Sequence, residues 1–345
     1  MSRLSSIFEL VAPGLLGALF LSAAGCRDKD QSGDWAGHPP EKEEVSTTIS
    51  VAIPEPARVP VEPAADVVPS DSSDLRFLSY NVENWLTMDR YVDGKSLKGS
   101  PKPEKERLAT ARVIVAAKPD VLGVSEIGDE DDVRDLQQFL EEAGHPMPHF
   151  HLNRGADPTR SLALLSRFPI ENPVVHEDLS YRSNGREYQM QRGILDATVE
   201  SPTGPIRFLG VHLKSKRETE DGDQEDMRLN EAHLLRRVIE GVMKEDEDAR
   251  LVVYGDFNDT RNSPAIRTVR GGGKNPMAML MVALKDSRGE YWTHHWDYQD
   301  VYSRFDYVMV SSPLKDSVDW DRCQILDDGD VTVASDHRPL LVILK

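Results

Sequence analysis

Cysteine is almost absent from this chain. Cys26 and Cys323 are the two it has, too few for a fold stapled by disulfides. No paired-cysteine spacing and no His-Glu-x-x-His string occurs, so the common zinc-hydrolase motifs have no counterpart. Basic charge is in deficit: Lys and Arg number 41 against 59 Asp and Glu, a net charge of −18. Such a field repels polyphosphates at long range. It excludes tight, non-specific coating of nucleic acid, but not a locally positive cleft. Long apolar runs are missing too, and the stretch from Val11 to Ala24 is too short for a comfortable membrane span. No internal repeat survives residue-by-residue comparison. What is there is a chain of 345 residues, 39% hydrophobic and 29% charged, enough for one large globular domain or two ordinary ones.

The first residues read as an export signal: Arg3, the apolar stretch, Gly25-Cys26, then a polar segment. Leu21-Ser-Ala-Ala-Gly-Cys26 resembles the bacterial lipobox, although Ala23 stands where that pattern prefers Leu. The resemblance implies a signal peptide over 1–26, lipidation of Cys26, and a membrane-anchored lipoprotein facing the periplasm or the exterior. A cleaved, soluble secreted protein and an uncleaved anchor are the alternatives. Residues 27–73 show no hydrophobic period and carry prolines at 39, 40, 54, 56, 60, 63 and 69. A segment of this composition cannot bury enough surface to fold, so a disordered, extended linker is expected. It either spaces the domain from a membrane or is a tail with no spacing role.

From residue 74 to 345 apolar runs alternate with amphipathic helical patterns. The spacing predicts helices over Glu104–Ala117, Val133–Ala143 and Gln224–Lys244. Strands are predicted at Leu75–Tyr80, Val121–Ser125, Leu162–Leu165, Gln191–Glu200, Ile206–Leu213, Leu251–Tyr254, Asp306–Ser311 and Leu340–Leu344. Ser201-Pro-Thr-Gly204 reads as a hairpin turn, so some pairing is antiparallel. Hairpins together with strand–helix units imply an α/β domain with mixed sheets. Thr87–Pro103, Glu177–Arg186 and Arg261–Tyr298 read as loops that select substrate.

Four apolar runs end in a residue able to bind metal or hydrogen-bond: Asn81, Glu126, His212 and Asp256. One such ending means little, because every strand must end. Four of these types suggest a shared cleft beyond strand ends. The order Asn81, Glu126, Ser166-Arg167, His212-Leu-Lys214, Gly255-Asp-Phe-Asn258, Asp306-Tyr307, Ser335-Asp-His337 resembles the endonuclease/exonuclease/phosphatase superfamily, of deoxyribonuclease I-like fold, over roughly residues 75–345. The implied fold is an α/β (α+β) four-layer sandwich, two packed mixed β-sheets flanked by helices. The implied activity is hydrolysis of a phosphoester with Mg²⁺ or Mn²⁺, and with Ca²⁺ as a third candidate.

The resemblance also implies roles. Glu126 is the main metal ligand, with Asn81 beside it and Asp336 as a further ligand. Glu83 is either another ligand or a surface acid. Asp256 orients or deprotonates the attacking water, and Asn258 steadies that carboxylate and the phosphate. His212 and His337 stabilise developing charge, and Asp306 pairs with His337. Arg160 grips a phosphate oxygen, for which guanidinium geometry is suited. Asp259 is read as structural. Lys214, Lys216 and Arg217 either make the cleft positive or form a solvated run. His294 and His295 match no motif and are expected on the surface or in a substrate loop. The substrate expected first is nucleic acid, cleaved by an extracellular nuclease or phosphodiesterase. A lipid or sugar-phosphate phosphatase is the second reading. A non-catalytic surface binding protein on the same fold is the third. No protein partner is expected.

Overall fold

A computed structural model describes residues 74–345, apart from 93 and 219–221. The segment read as a signal peptide, Cys26 and the segment 27–73 read as a linker therefore lie outside the described residues. Two six-stranded sheets are built from twelve strands: β1 (Leu75–Trp85), β2 (Val121–Ile127), β3 (His149–Asn153), β4 (Ser161–Ser166), β5 (Ile170–Glu171), β6 (Leu195–Ser201), β7 (Gly204–His212), β8 (Leu251–Asp256), β9 (Leu280–Met281), β10 (Asp306–Val310), β11 (Gln324–Ile325) and β12 (Leu340–Leu344). The first sheet has the order β11-β12-β1-β2-β4-β3 and the second β9-β10-β8-β7-β6-β5.

Period-two alternation decides what each sheet packs against. Phe77 points into the space between the sheets, where its ring lies 5.0 Å from that of Phe208 and 4.9 Å from that of Tyr254. Its neighbours Leu78 and Tyr80 belong to a separate core on the outer face of the first sheet. That face is covered by α1 (Glu104–Ala117) and α2 (Glu130–Glu142), and the outer face of the second by α3 (Gln224–Glu245) and α4 (Pro264–Arg270). The layering is helix, sheet, sheet, helix, as the family resemblance implied.

Helix ends follow local chemistry. Asp129 and Asp132 form a reciprocal capping box, which starts α2 at Glu130, ahead of its first apolar residue. Asp223 caps α3 by accepting from the amides of Glu225 and Asp226. Strand β1 outruns its apolar stretch by five residues because Trp85 is itself buried and pairs with Ile127.

Each sheet has one parallel pair at its centre, β1 with β2 and β7 with β8, each joined through a helix and flanked by antiparallel neighbours. The two sheets thus repeat one topology, although the sequence shows no repeat, because topology constrains hydrophobic pattern rather than residue identity. The carboxyl ends of the parallel strands carry Asn81, Glu126, His212 and Asp256. Register places His212 beside Asp256, and Asp256 beside Asp306 at the start of β10.

Candidate active site

The backbone is bent where the four strand ends meet. Among the described residues eight non-glycine positions have positive φ, and four of them are Glu83, Asn84, Glu126 and Asn258. Strain of this kind collects where a site needs side chains aimed off the regular pleat. At Glu126 it comes with a slip in register: Ser125 pairs with Asn81, but the next partners are Ile127 and Trp85. Gly255 bends β8 at φ 131°, and a Cβ there would lie 1.9 Å from the carbonyl oxygen of Val211. Only glycine fits that approach, which sets Asp256 against His212.

One carboxylate oxygen is the meeting point. Around Asp256 Oδ2 lie Asn81 Nδ2 at 3.3 Å, Asn258 Nδ2 at 3.4 Å, His212 Nε2 at 3.5 Å and His337 Nε2 at 3.7 Å. The other oxygen accepts from the Asn258 amide at 2.8 Å. Asn258 is itself held by donating to the Leu213 carbonyl at 3.0 Å. Burial pushes the Asp256 carboxyl up to about 7, against the opposing pull of His337.

The surroundings shift the two histidines in opposite directions. His337 is flanked by acids: its Nδ1 donates to Asp306 Oδ2 at 2.8 Å, and its Nε2 faces Asp256 and Asp336. Burial opposes its charge, but Asp306, Asp256 and Asp336 together hold its pKa well above the usual range. His212 goes the other way. Burial, with the positive charges of Arg192, His337 and Arg160 nearby, holds it well below. Asp306 is fixed by Thr293, whose hydroxyl donates to it at 2.6 Å while accepting from the Phe305 and Asp306 amides.

Glu126 sits on the neighbouring side of the cleft. It accepts from Asn81 Nδ2 at 3.3 Å and from the Asn84 amide at 3.1 Å, and lies 4.0 Å from both His212 Nε2 and Arg160 Nε. Arg160 is partly exposed and donates to Asn84 Oδ1 at 2.8 Å, which leaves it at the rim. Glu83 resolves to the site: its carboxylate accepts from the Asp336 amide at 3.2 Å and lies 3.7 Å from the buried Lys102 Nζ. Burial, then repulsion from Asp336, pushes Glu83 up to about 7, with Glu126 adding to it and Lys102 opposing. A set of oxygen donors that crowds its own negative charge suits a hard divalent cation such as Mg²⁺ or Mn²⁺, which would relieve the repulsion. The residues present therefore fit the expected ion.

Two readings left open are narrowed. His294, in the segment read as a substrate loop, is partly buried: its ring packs 4.7 Å from that of His337 and its Nε2 lies 3.7 Å from Asp336 Oδ2. The cause is non-local, because Thr293–His295 pairs with Asp336–Arg338 through main-chain bonds of 2.7 and 2.9 Å. Lys216 does not lend its charge to the cleft, since its Nζ is 2.7 Å from Asp259 Oδ1. With Arg228 on the other oxygen at 3.1 Å, Asp259 is a structural acid, as expected. Arg192 was passed over. It is buried, lies 3.7 Å from Asp157, and acts electrostatically on His212. No sequence spacing marks it.

Behind His212, Glu231 of α3 is fully buried and accepts from the Lys214 amide at 2.6 Å. Burial pushes its carboxyl from 4.5 up to about 7, with Arg192 opposing. The folded state thus binds this proton more tightly than the unfolded chain. Its stabilising contribution is full below the unfolded value and is lost as pH rises through the folded one. Glu231→Gln should therefore raise the melting temperature by a few degrees at about pH 8, and the gap should close at about pH 5. Thermal unfolding at both pH values measures it, and a lower melting temperature for the variant at the higher pH would refute it.

Comparison with known proteins follows the same line. The Endonuclease/Exonuclease/phosphatase family model matches residues 92–337. No curated protein matches the sequence. Among solved structures, an endonuclease/exonuclease/phosphatase from Bacteroides vulgatus is 17% identical, covering 79% of this chain and 99% of that one, with a TM-score of 0.56. A beta toxin from Staphylococcus aureus is 15% identical over 79% and 100%, with a TM-score of 0.54. The human Nocturnin catalytic domain, with a bound sulfate anion, is 17% identical over 79% and 94%, at 0.53. These likenesses bear on the fold.

Proposed function

Because the chain belongs to the endonuclease/exonuclease/phosphatase family, we propose that it is a divalent-metal-dependent phosphoester hydrolase, acting first on nucleic acid or another phosphodiester. The observation that carries this reading is the gathering of Asn81, Asn258, His212 and His337 around one oxygen of a buried Asp256. A carboxyl poised near neutrality is matched to taking a proton from water.

Glu126, Asn81 and Asp336 would hold the ion, with Glu83 beside them. Bound Mg²⁺ or Mn²⁺ would supply charge neutralisation at the phosphate oxygens. A mutant beta toxin of Staphylococcus aureus carries bound magnesium ions on the same fold. Asp256 orients the attacking water and accepts its proton. Asn258 holds Asp256 in place through its backbone amide. His212, neutral, donates one hydrogen bond to the developing phosphorane. His337, charged and steadied by Asp306, offers a second, stronger one. Arg160 at the rim meets a non-bridging oxygen.

The test is turnover by the full chain of DNA, RNA, an aryl phosphodiester, a phospholipid and a sugar phosphate. Each is assayed with Mg²⁺, Mn²⁺ or Ca²⁺, and with chelator. Metal-dependent cleavage of at least one is expected. Cleavage of phospholipid or sugar phosphate alone would favour the second substrate class. No cleavage of any would favour a binding protein.

A further inference from the structure

We propose that His294, Asp336 and His337 form a second cation site, selective for a nitrogen-preferring ion such as Zn²⁺, and that zinc bound there inhibits the enzyme. The inhibitory half rests on the hydrolase reading above; the binding half does not.

Each of the three residues offers one ligand atom, a ring nitrogen or a carboxylate oxygen, and these atoms lie within 4.8 Å of one another. Nε2 of His294 is 3.7 Å from Asp336 Oδ2, and Nε2 of His337 is 4.0 Å from Asp336 Oδ1. Bonds of about 2.0–2.2 Å in a tetrahedral zinc site put donor atoms roughly 3.3–3.6 Å apart. Small side-chain rotations close that difference.

The frame is rigid. The main-chain pairing of Thr293 and His295 with Arg338 and Asp336 fixes both backbones. The His294 ring stacks on Phe305, with centroids 5.2 Å apart and planes at 26°. Nδ1 of His337 is committed to Asp306 at 2.8 Å, which leaves Nε2 as its ligand atom. A carboxylate behind a histidine in this way is the usual support of a zinc-binding imidazole. Two nitrogens and one oxygen differ in kind from the oxygen donors around Glu126. Ligand type therefore separates the two ions, with zinc preferring the histidines and magnesium the carboxylates.

Zinc bound at His337 Nε2 would occupy the atom that faces Asp256 and Asp336. His337 can then no longer donate to a phosphate oxygen, and Asp336 is drawn from the Glu126 group. The inhibition follows from those two losses.

Calorimetric titration of the full chain with Zn²⁺ alone tests the site, with no substrate and no other divalent ion. One tight site is expected. His294→Ala and His294→Gln should weaken it by at least about 100-fold, by loss of a ligand. His295→Ala should leave it unchanged, although His295 also lies near a carboxylate, 3.2 Å from Asp300. Circular dichroism checks that each variant is folded, and the glutamine variant decides if alanine unfolds. Zinc affinity unchanged in a folded His294 variant, or lost in His295→Ala, would overturn the site. The zinc inhibition constant for turnover should rise in parallel in the His294 variants. Unshifted inhibition would overturn the inhibitory half alone, and absent turnover on every substrate would count against the hydrolase reading while the calorimetry still stands.

Discussion

Asp256→Asn should leave the domain folded and lower phosphodiester turnover by ~10²–10⁴-fold, the range for losing a general base. Asp256 is 2% exposed, and its Oδ1 accepts the Asn258 amide. An asparagine keeps that acceptor and the volume, so the bend at Gly255 survives. What disappears is the charge and one acceptor, because Nδ2 of the asparagine would face Asn81 Nδ2 and Asn258 Nδ2. The lost acceptor costs stability while removing a buried carboxylate lightens the desolvation burden, so the melting temperature should change little while turnover falls. Metal affinity should move little, because Glu126 is untouched. A variant that loses turnover only because it has unfolded would show itself by circular dichroism and would not support the role.

His337→Ala should lower turnover by about 10²–10³-fold, the scale of one lost oxyanion donor. It also leaves Asp306 buried with Thr293 as its remaining side-chain partner, so the protein should melt earlier. Asp306→Ala should cost turnover as well, because the imidazolium loses its nearest stabilising charge. The double variant should then be little worse than His337→Ala in turnover, and more stable than it. Full additivity, in either quantity, would mean the two residues do not act as a unit.

Much of this was legible before the structure because the relevant signals are local. Helix α1 was read to its ends: its apolar spacing stops at Ala117, and Lys118 follows in a left-handed cap. Asn81, Glu126, His212 and Asp256 were found because an apolar run that ends in a reactive side chain is visible along the chain. Asp306 and His337 came from resemblance, not from spacing.

The remainder depended on contacts between distant segments. Strand β3, His-Phe-His-Leu-Asn, has five half-buried residues and no clean alternation, so period two had nothing to report. The hairpin Met88–Val92 with Lys95–Ser100, and the strand Ser180–Ser183 of the hairpin it forms with Arg186–Gln189, lie in segments read as loops. They are short and carry little hydrophobic pattern. His294 reaches the site through pairing with His337, and Thr293 through its hydroxyl on Asp306. Neither contact leaves a mark in local composition. Glu83 was undecided because its position depends on the irregular end of β1, where Glu83 and Asn84 take positive φ.

The most direct measurement is turnover of one cleaved phosphodiester against Mg²⁺ concentration, for the wild-type chain, Glu126→Gln and Asp256→Asn. Glu126→Gln should shift the curve to higher Mg²⁺ with partial recovery at saturation. Asp256→Asn should keep the midpoint and lower the plateau by ~10²–10⁴-fold. Two folded variants whose curves overlay the wild type would contradict the account.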